Sequence, residues 1–250
     1  MQYKVYKGEE TKILNCLELE LRKFSEGYVV NEWRIPALIS GEILKKCGYF
    51  ETMPNQLTLA GYYDEIACGQ LDRMEHMDNC NHDNMYLTPA ACIHFYPELQ
   101  QQNMKNELIT TNARVYRREN GEFSKVRLWD FNVREFVAIG DESYVHAFLE
   151  DFMRKALELA LKIDSNSKIV IANDHFYPTR SNMLKEMVQR ANGMKYELLD
   201  GEGIAIASFN YHGFHFSETF EFDNCKQVVT GCVGFGLDRW LELIKRENGK

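Results

Sequence analysis

The sequence predicts an α+β fold in which a mostly antiparallel β-sheet is flanked by helices. Apolar runs with strand character recur through the second half of the chain, and most are joined by short polar connections. Long helical patterns are too few to supply a crossover for every strand pair, as a doubly wound parallel sheet requires. Helices packed on a largely antiparallel sheet therefore explain the pattern better.

The composition indicates one folded domain spanning residues 1–250. The chain is 45% hydrophobic and has a net charge of −8, which argues against nucleic acid as the main partner. No apolar run has the roughly 18 residues that a membrane span needs, and the first residues lack the pattern of a signal peptide. Seven cysteines in a chain of this size indicate free thiols or metal ligands rather than disulfides. We therefore expect a soluble, cytoplasmic protein without a membrane partner.

The first half of the chain contains one clear helical pattern and one polar segment. An apolar stripe at helical spacing predicts a helix packed on the sheet, and it consists of Ile13, Leu14, Leu17, Leu21 and Phe24. A polar segment at residues 72–84 holds three potential metal ligands whose spacing matches no common zinc pattern, so a solvated loop is favoured. Those ligands are His76, Cys80 and His82.

Two strand-like runs, residues 113–118 and 126–139, predict a β-hairpin. Asn120-Gly121 lies between them, which is a strong signal for a tight turn. The hairpin is rich in cationic side chains, namely Arg114, Arg117, Arg118, Lys125 and Arg127. So much positive charge on a sheet is costly unless an anionic ligand binds there.

The pattern after residue 140 predicts further helices and strands. An apolar face at residues 149–161 predicts a long helix, and residues 182–191 predict a short one. Strands are predicted at residues 168–172, 195–199, 204–211 and 214–222.

The last strand and helix contain a candidate ligand site. Cys232, Gly234 and Gly236 alternate with large apolar residues, so one strand face is apolar and the other lets a ligand approach the backbone. Arg239 follows in the first helical turn, where its guanidinium can bind a phosphate or a carboxylate. The segment matches neither the dinucleotide-binding fingerprint nor the P-loop, so a different nucleotide-binding fold is required.

Two of these segments resemble signature motifs of class II aminoacyl-tRNA synthetases. Residues 116–119, Tyr-Arg-Arg-Glu, with the later Arg127, Phe131 and Glu135, resemble their second motif, and residues 232–239 resemble their third. The resemblance implies a class II synthetase-like catalytic domain that binds ATP.

The same resemblance implies a role for each matched residue in binding ATP and in catalysis. Arg117 corresponds to the arginine that holds the α-phosphate, with Arg118 as the alternative for that position. Arg239 corresponds to the arginine that holds the γ-phosphate. Glu119 is expected near the substrate or adenine and Phe131 is expected to stack on adenine, while Arg127 adds positive charge beside ATP.

A closer resemblance is to amino acid:carrier protein ligases, a seryl synthetase-like branch without a tRNA-binding domain. It is carried by residues 48–54, 88–92, 174–177, 195–197 and 208–212. In that branch Cys, Glu and Cys hold a zinc ion, and they correspond here to Cys92, Glu135 and Cys232. Three protein ligands leave the fourth tetrahedral position of Zn²⁺ open, and the neutral amino group of an amino acid suits that position.

The closer resemblance also implies an activity and further contacts. The enzyme would condense a small amino acid with ATP and pass the acyl group to the phosphopantetheine thiol of an acyl or peptidyl carrier protein. Candidate Mg²⁺ ligands are Glu197, Glu202, Ser208 and Asn210, while the acidic ligand of the synthetases aligns with Ile204. Ser208, Asn210 and His212 are expected to contact the amino acid.

The resemblance implies two protein–protein surfaces as well. Residues 33–54 are expected at a homodimer interface. A carrier protein would dock on a basic patch comprising Lys45, Lys46, Arg180, Lys185 and Arg190.

Other acceptors and a different class of function remain alternatives. The acceptor could be tRNA, a peptide or a small amine, but the acidic charge and the absence of a segment resembling a tRNA-binding appendage disfavour tRNA. A catalytically silent paralogue that regulates a partner is disfavoured because it has no physical need of both phosphate-binding arginines.

Overall fold

The structure is a computed structural model that describes residues 3–63, 81–119, 121–174, 176–191 and 193–249. His76 and Cys80 of the polar segment lie outside the described residues, as do Asn120, His175 and the side chain of Arg190. Within the described ranges, no helix combines the length and the apolar character needed to cross a membrane.

The helices and strands of the described residues have the following bounds. The helices are α1 (Glu9–Arg22), α2 (Gly41–Lys46), α3 (Tyr49–Thr52), α4 (Phe95–Glu98), α5 (Glu142–Leu161), α6 (Arg180–Ala191), α7 (His215–Thr219) and α8 (Leu237–Asn248). The strands are β1 (Val30–Glu32), β2 (Leu38–Ser40), β3 (Thr58–Leu59), β4 (Met85–Leu87), β5 (Glu107–Tyr116), β6 (Asp130–Gly140), β7 (Lys168–Ile171), β8 (Lys195–Leu199), β9 (Ala205–Gly213) and β10 (Val229–Gly236).

A seven-stranded sheet of order β1-β5-β6-β10-β9-β8-β7 forms the centre of the fold. Its neighbouring strands are antiparallel except for β1 and β5, which are parallel. A second sheet of order β2-β4-β3 is smaller. The predicted α+β class with a mostly antiparallel sheet is therefore confirmed.

The long helix α5 forms where local sequence signals and burial agree. Its N-cap is Asp141, whose carboxylate accepts a hydrogen bond from the backbone N–H of Tyr144 at 2.8 Å. The buried side chains of α5 recur at helical spacing, and they are Val145, Phe148, Leu149, Phe152, Ala156 and Ala160. The predicted helix at residues 149–161 is confirmed and begins earlier, at Glu142.

One face of the large sheet packs against α1, α5 and α8. Phe136 of β6 and Phe235 of β10 belong to the same core as Phe152 of α5 and Trp240 of α8, and all four are 0% exposed. Phe152 meets Phe136 edge to face, with ring centroids 4.9 Å apart. Burying a Phe side chain stabilises a fold by about 1.5–3 kcal/mol, so this layer contributes strongly to stability.

The opposite face of the sheet carries a second hydrophobic core and, beside it, polar residues of β6, β9 and β10. Cys232 and Ile139 lie in this core beside Phe95 and Tyr96. Since successive side chains of a strand point to opposite faces, β10 separates an apolar helix-facing side from a side open to ligands.

Residues 214–222 do not form the predicted strand, because they contain the short helix α7. Phe216 and Phe220 are four residues apart and both contact Tyr96, with Phe216 stacked on it at a centroid distance of 4.0 Å. Helical spacing brings both rings to one side, so tertiary packing outweighs the strand preference of this aromatic run.

The predicted hairpin is correct in its pairing and wrong in its turn. β5 and β6 pair along their length, from Glu107 with Ile139 to Tyr116 with Asp130. The connection between them is longer than an Asn-Gly turn, because the pairing ends at Tyr116 and Asp130. Past the last pair, the backbone N–H of Arg118 bonds to the backbone oxygen of Gln56. Arg117 and Arg118 therefore follow directly after the end of β5.

Arg134 is a buried cation that ties β6 to α1 and β1. Its side chain is 1% exposed, lies 3.2 Å from Glu32, donates to Thr110 Oγ1 at 3.1 Å and also pairs with Glu18. Burial lowers the pKa of Arg134 to about 10, so the guanidinium stays charged at neutral pH. The two carboxylates compensate a charge that would otherwise be costly in the interior.

We expect Arg134→Ala to lower the free energy of unfolding by about 3–5 kcal/mol, because it leaves the Glu18 carboxylate without its buried partner. Urea unfolding followed by circular dichroism measures the change. Arg154→Ala is the control, since Arg154 is 58% exposed and its ion pairs should contribute about 0.5 kcal/mol or less. Equal effects of the two substitutions would contradict the structural role of Arg134.

Candidate active site

A cavity of about 950 Å³ lies on the face of the large sheet away from α1, α5 and α8. Its floor is formed by alternate residues of β6, β9 and β10, and its walls come from residues 45–53, residues 89–93 and α6. The volume is at the upper end of the range for small-molecule sites. Four groups of polar side chains line it.

The first group is a cluster of Cys92, Glu135 and Cys232. One potential ligand atom from each residue lies within 4.8 Å of the other two, and all three residues are buried. Cys92 begins a short 3-10 helix, and its backbone N–H donates to Glu135 Oε2 at 3.2 Å. Adjacent strands set the other two positions, because Glu135 of β6 pairs with Gly234 of β10, two residues from Cys232.

The cluster concentrates acidic groups in a buried space. The hydrogen bond between Cys92 and Cys232 is the largest cause that raises the pKa of the Cys92 thiol well above its ordinary value, and burial is the second. The contact with Cys92 lowers the pKa of Cys232, but burial and Glu135 outweigh it and leave that pKa raised. Burial also raises the pKa of Glu135. Two sulfur donors and one carboxylate fit a divalent cation such as Zn²⁺, whose charge would favour the deprotonated forms.

The second group is the cationic end of the cavity, where Arg117 and Arg118 point in different directions. Arg117 lines the cavity with its guanidinium 4.8 Å from the centre of the Phe131 ring, and its buried Nε has no hydrogen-bond partner within the described residues. Arg118 instead lies over Phe123 and Trp129. Of the two adjacent arginines, only Arg117 is placed to contact a ligand in the cavity.

Arg239 and Glu119 complete this end of the cavity, and Arg127 lies beside Glu119 without lining the cavity itself. Its Nε and one terminal nitrogen donate to the backbone oxygens of Val126 and Ala205, each at 2.9 Å, which fixes the guanidinium. The Glu119 carboxylate lies 3.9 Å from both Arg239 and Arg127. Burial lowers the pKa of Arg239. Arg117, Arg127 and Arg239 outnumber the carboxylates that act on Arg239, Glu119 and Glu197, and the excess positive charge suits an anionic ligand.

The third group is the row Ser208, Asn210 and His212 on one face of β9. Asn210 Nδ2 lies 3.4 Å from both Cys232 Sγ and Ser208 Oγ. His212 Nε2 lies 3.5 Å from Cys232 Sγ, and its Nδ1 is 3.1 Å from Thr230 Oγ1. Burial lowers the pKa of His212 to about 4, so the ring is neutral at physiological pH. The row therefore connects the buried cluster to the rest of the cavity floor.

The structure separates the candidate magnesium ligands. Asn210 and Ser208 line the cavity. Glu197 does not line it and lies 3.4 Å from Lys195 Nζ, but it pairs with Ser208 across β8 and β9, which places it on the same sheet face. Glu202 does not line the cavity, because its 59% exposed side chain pairs with Arg246 at 3.0 Å. Glu202 is therefore not brought to the site.

The fourth group, to which sequence reasoning gave no role, consists of Asp174, Gln189 and Lys195. Asp174 accepts hydrogen bonds from Lys195 Nζ at 2.6 Å and Gln189 Nε2 at 2.8 Å. Burial raises the pKa of Asp174, but Lys195 and Gln189 outweigh it, so that pKa is lowered. The available signal was the position of Asp174 just after a strand, where loop residues often carry function.

The residues of the expected basic patch are only partly grouped. Lys45, Lys46 and Lys185 are exposed and line the opening of the cavity. Arg180 is exposed at the start of α6 and does not line the cavity.

The fold is that of a class II aminoacyl-tRNA synthetase core. Among solved structures, the M. kandleri SerRS in complex with A. aeolicus tRNASec is similar, with a TM-score of 0.77 and 20% sequence identity. The similarity covers 100% of this chain and 54% of that chain. No family model matches the chain.

Curated relatives of two kinds are similar in sequence. The type-2 serine–tRNA ligase of Methanococcus aeolicus is 26% identical over 264 aligned positions, which cover 94% of this chain and 51% of the relative. The chain thus spans about half the length of that ligase.

Two proteins of Bradyrhizobium diazoefficiens have a higher sequence identity to this chain than that ligase has. Amino acid–acyl-carrier-protein ligase 2 is 30% identical over 234 residues, which cover 87% of this chain and 70% of the relative. Amino acid–acyl-carrier-protein ligase 1 is 31% identical over 236 residues, which cover 86% of this chain and 71% of the relative. At this identity and coverage, the chain belongs to the family of amino acid–acyl-carrier-protein ligases.

Proposed function

We propose that the protein activates an amino acid with ATP as an aminoacyl adenylate and transfers the aminoacyl group to the phosphopantetheine thiol of a carrier protein. The proposal rests on one observation, namely that a single cavity contains both halves of the required chemistry. Its cationic end suits a triphosphate, and its buried cluster suits the amino group of an amino acid. The names of the two relatives with 30% and 31% identity support the same activity.

ATP would bind at the cationic end. Arg117 has a buried Nε free of protein partners in the described structure, so it can donate to the α-phosphate, while Arg239 binds the γ-phosphate. Phe131 offers an aromatic face to adenine. Glu119 lies beside Arg239, within reach of the nucleotide or the substrate.

The amino acid would bind at the buried cluster. Cys92, Glu135 and Cys232 are proposed to hold Zn²⁺. When bound, the ion would supply a Lewis-acid position for the α-amino group. Asn210 and the neutral ring of His212 stand close to Cys232, where they would contact the bound amino acid, for which we propose a small one such as glycine or alanine.

The chemistry then depends on alignment more than on proton transfer. A carboxylate oxygen of the amino acid attacks the α-phosphorus, the bond from that phosphorus to the bridging oxygen breaks, and pyrophosphate leaves. No general base is needed because the nucleophile is already an anion, and the arginines offset the charge that develops. In the second step the carrier thiol attacks the carbonyl carbon, AMP leaves and the thiol proton passes to water.

Other parts of the proposal concern cofactors and assembly. Mg²⁺ is proposed to accompany ATP with Glu197 and Asn210 as candidate ligands, and Glu202 is not retained. We further propose that residues 1–250 form one cytoplasmic catalytic domain and that residues 33–54 contribute to a homodimer interface that leaves Lys45 and Lys46 accessible.

The acceptor is proposed to be a carrier protein that docks at the opening of the cavity. Lys45, Lys46 and Lys185 are exposed there, on an otherwise acidic chain with a net charge of −8. Carrier proteins are commonly acidic, so a local basic patch provides complementary charge.

Amino acid-dependent exchange of pyrophosphate into ATP tests the proposed function. We expect exchange with small amino acids when all standard amino acids are screened. Transfer to carrier protein is then compared with transfer to tRNA. Absence of exchange with every amino acid would refute the activity, and aminoacylated tRNA would refute the carrier assignment.

The two adjacent arginines provide a matched pair for the ATP site. Arg117→Ala should reduce the exchange rate by about 10²-fold or more, the usual cost of removing one preorganised donor to the transition state. Arg118→Ala removes the same charge from a side chain that faces Phe123, and its effect should be much smaller. The opposite order would assign the α-phosphate to Arg118.

Metal analysis tests the zinc site. Cys232→Ser should abolish bound zinc in the purified protein, because the site loses one of its two soft donors. Cys16→Ser is the control, since Cys16 is an exposed free cysteine outside the cavity. Circular dichroism checks that both variants fold, and unchanged zinc in Cys232→Ser would remove this site from the proposal.

Charge reversal tests the docking patch. The triple variant Lys45→Glu, Lys46→Glu and Lys185→Glu should lower kcat/KM for the carrier protein about tenfold or more through loss of electrostatic attraction, with a smaller effect at high salt. The control reverses Lys12, Lys23 and Lys162, which are exposed elsewhere. Equal losses in both triple variants would show that overall charge, and not the patch, directs the carrier.

A further inference from the structure

An aspartate in the first turn of α8 links that helix to β6, and each of the two elements carries a proposed ATP contact. The pairing of β10 with β6 ends at Gly236 and Val133, and α8 begins at Leu237. The backbone N–H of Asn132, one residue beyond the last pair, donates instead to Oδ2 of Asp238 at 2.7 Å. The carboxylate thus takes the place of the strand partner that the start of the helix removes.

This contact lies between two residues of the proposed ATP site. Asn132 directly follows Phe131, and Asp238 directly precedes Arg239. The Asn132 side chain also reaches Asp238, with Nδ2 3.4 Å from Oδ2. The contact therefore joins the β6 backbone beside Phe131 to the first turn of α8.

Asp238 places a carboxylate in the protein interior, which costs folding free energy. It is 2% exposed, and burial raises its pKa to about 6. Its Oδ1 has no hydrogen-bond partner within the described residues. An apolar side chain would avoid both costs, so the residue type is explained by a contact that needs a hydrogen-bond acceptor.

We propose that Asp238 is a positioning residue for ATP. By accepting the hydrogen bond of the Asn132 N–H, Asp238 holds Phe131 and Arg239 at the distance that separates adenine from the γ-phosphate. The inference rests on the proposed use of ATP. Asp238 lines the cavity, but its Oδ2 is committed to the β6 backbone, so the proposed role acts through Phe131 and Arg239.

The test compares Asp238→Ala, Asp238→Asn and Asp164→Ala with the unmodified protein. Calorimetry measures the Kd for ATP, and pyrophosphate exchange measures the KM for ATP and for the amino acid. Asp164 is the matched control, because its side chain is 7% exposed and accepts backbone N–H bonds from Asn166 and Gly201 at 3.0 and 2.7 Å. The Asp164 side chain does not line the cavity.

We expect Asp238→Ala to raise the Kd and the KM for ATP about tenfold, with the KM for the amino acid unchanged. Asp238→Asn keeps an acceptor oxygen and should stay within about threefold of the unmodified protein. Asp164→Ala should lower thermal stability without a selective effect on ATP.

Unchanged ATP affinity in Asp238→Ala would overturn the inference while leaving the proposed activity intact, as would equal losses for both substrates. If the unmodified protein binds ATP without any exchange, the proposed activity fails, and a selective loss of ATP affinity in Asp238→Ala would still support the positioning role.

Discussion

The register of β10 between β6 and β9 is the constraint on which the site depends. Val233 and Phe235 face the helices, whereas Cys232 and Gly234 face the cavity. Shifting the strand by one residue would exchange the two sets, which would bury the site residues among the helices and expose the core. The same register sets Asn210 opposite Cys232. The helix-facing core and the chemistry of the cavity are therefore stabilised by one set of backbone hydrogen bonds.

The cavity places opposite electrostatic demands at its two ends. The buried cluster of two thiols and Glu135 favours a cation, and the arginines around Glu119 favour an anion. Each set alone is costly in the interior because charged groups lose solvation there. A metal ion at one end and a triphosphate at the other would offset both costs. An amino acid bound between them would have its amino group and its carboxylate oriented by the same two charges.

β6 connects the two ends of the site to the scaffold. Glu135 faces the cavity, while its neighbour Arg134 faces the helices and pairs with Glu18 and Glu32. Farther along the strand, the N–H of Asn132 is held by an aspartate of α8. Arg134 and Asp238 thus restrain the strand that presents the proposed metal and ATP contacts. Such restraint matters because a displacement of about 1 Å in a reacting group can cost 10²-fold in rate.

Local sequence patterns were sufficient for the sheet class, for α5 and for the alternation in β10, since helical and strand periodicities depend on residues close together in the chain. They were not sufficient to place Cys92 beside Glu135, to choose between Arg117 and Arg118, or to exclude Glu202. The positions of these side chains depend on strand register, on the route of the connection after β5 and on ion pairs between distant segments. Such contacts form only when the whole chain packs, so tertiary structure supplies what periodicity lacks.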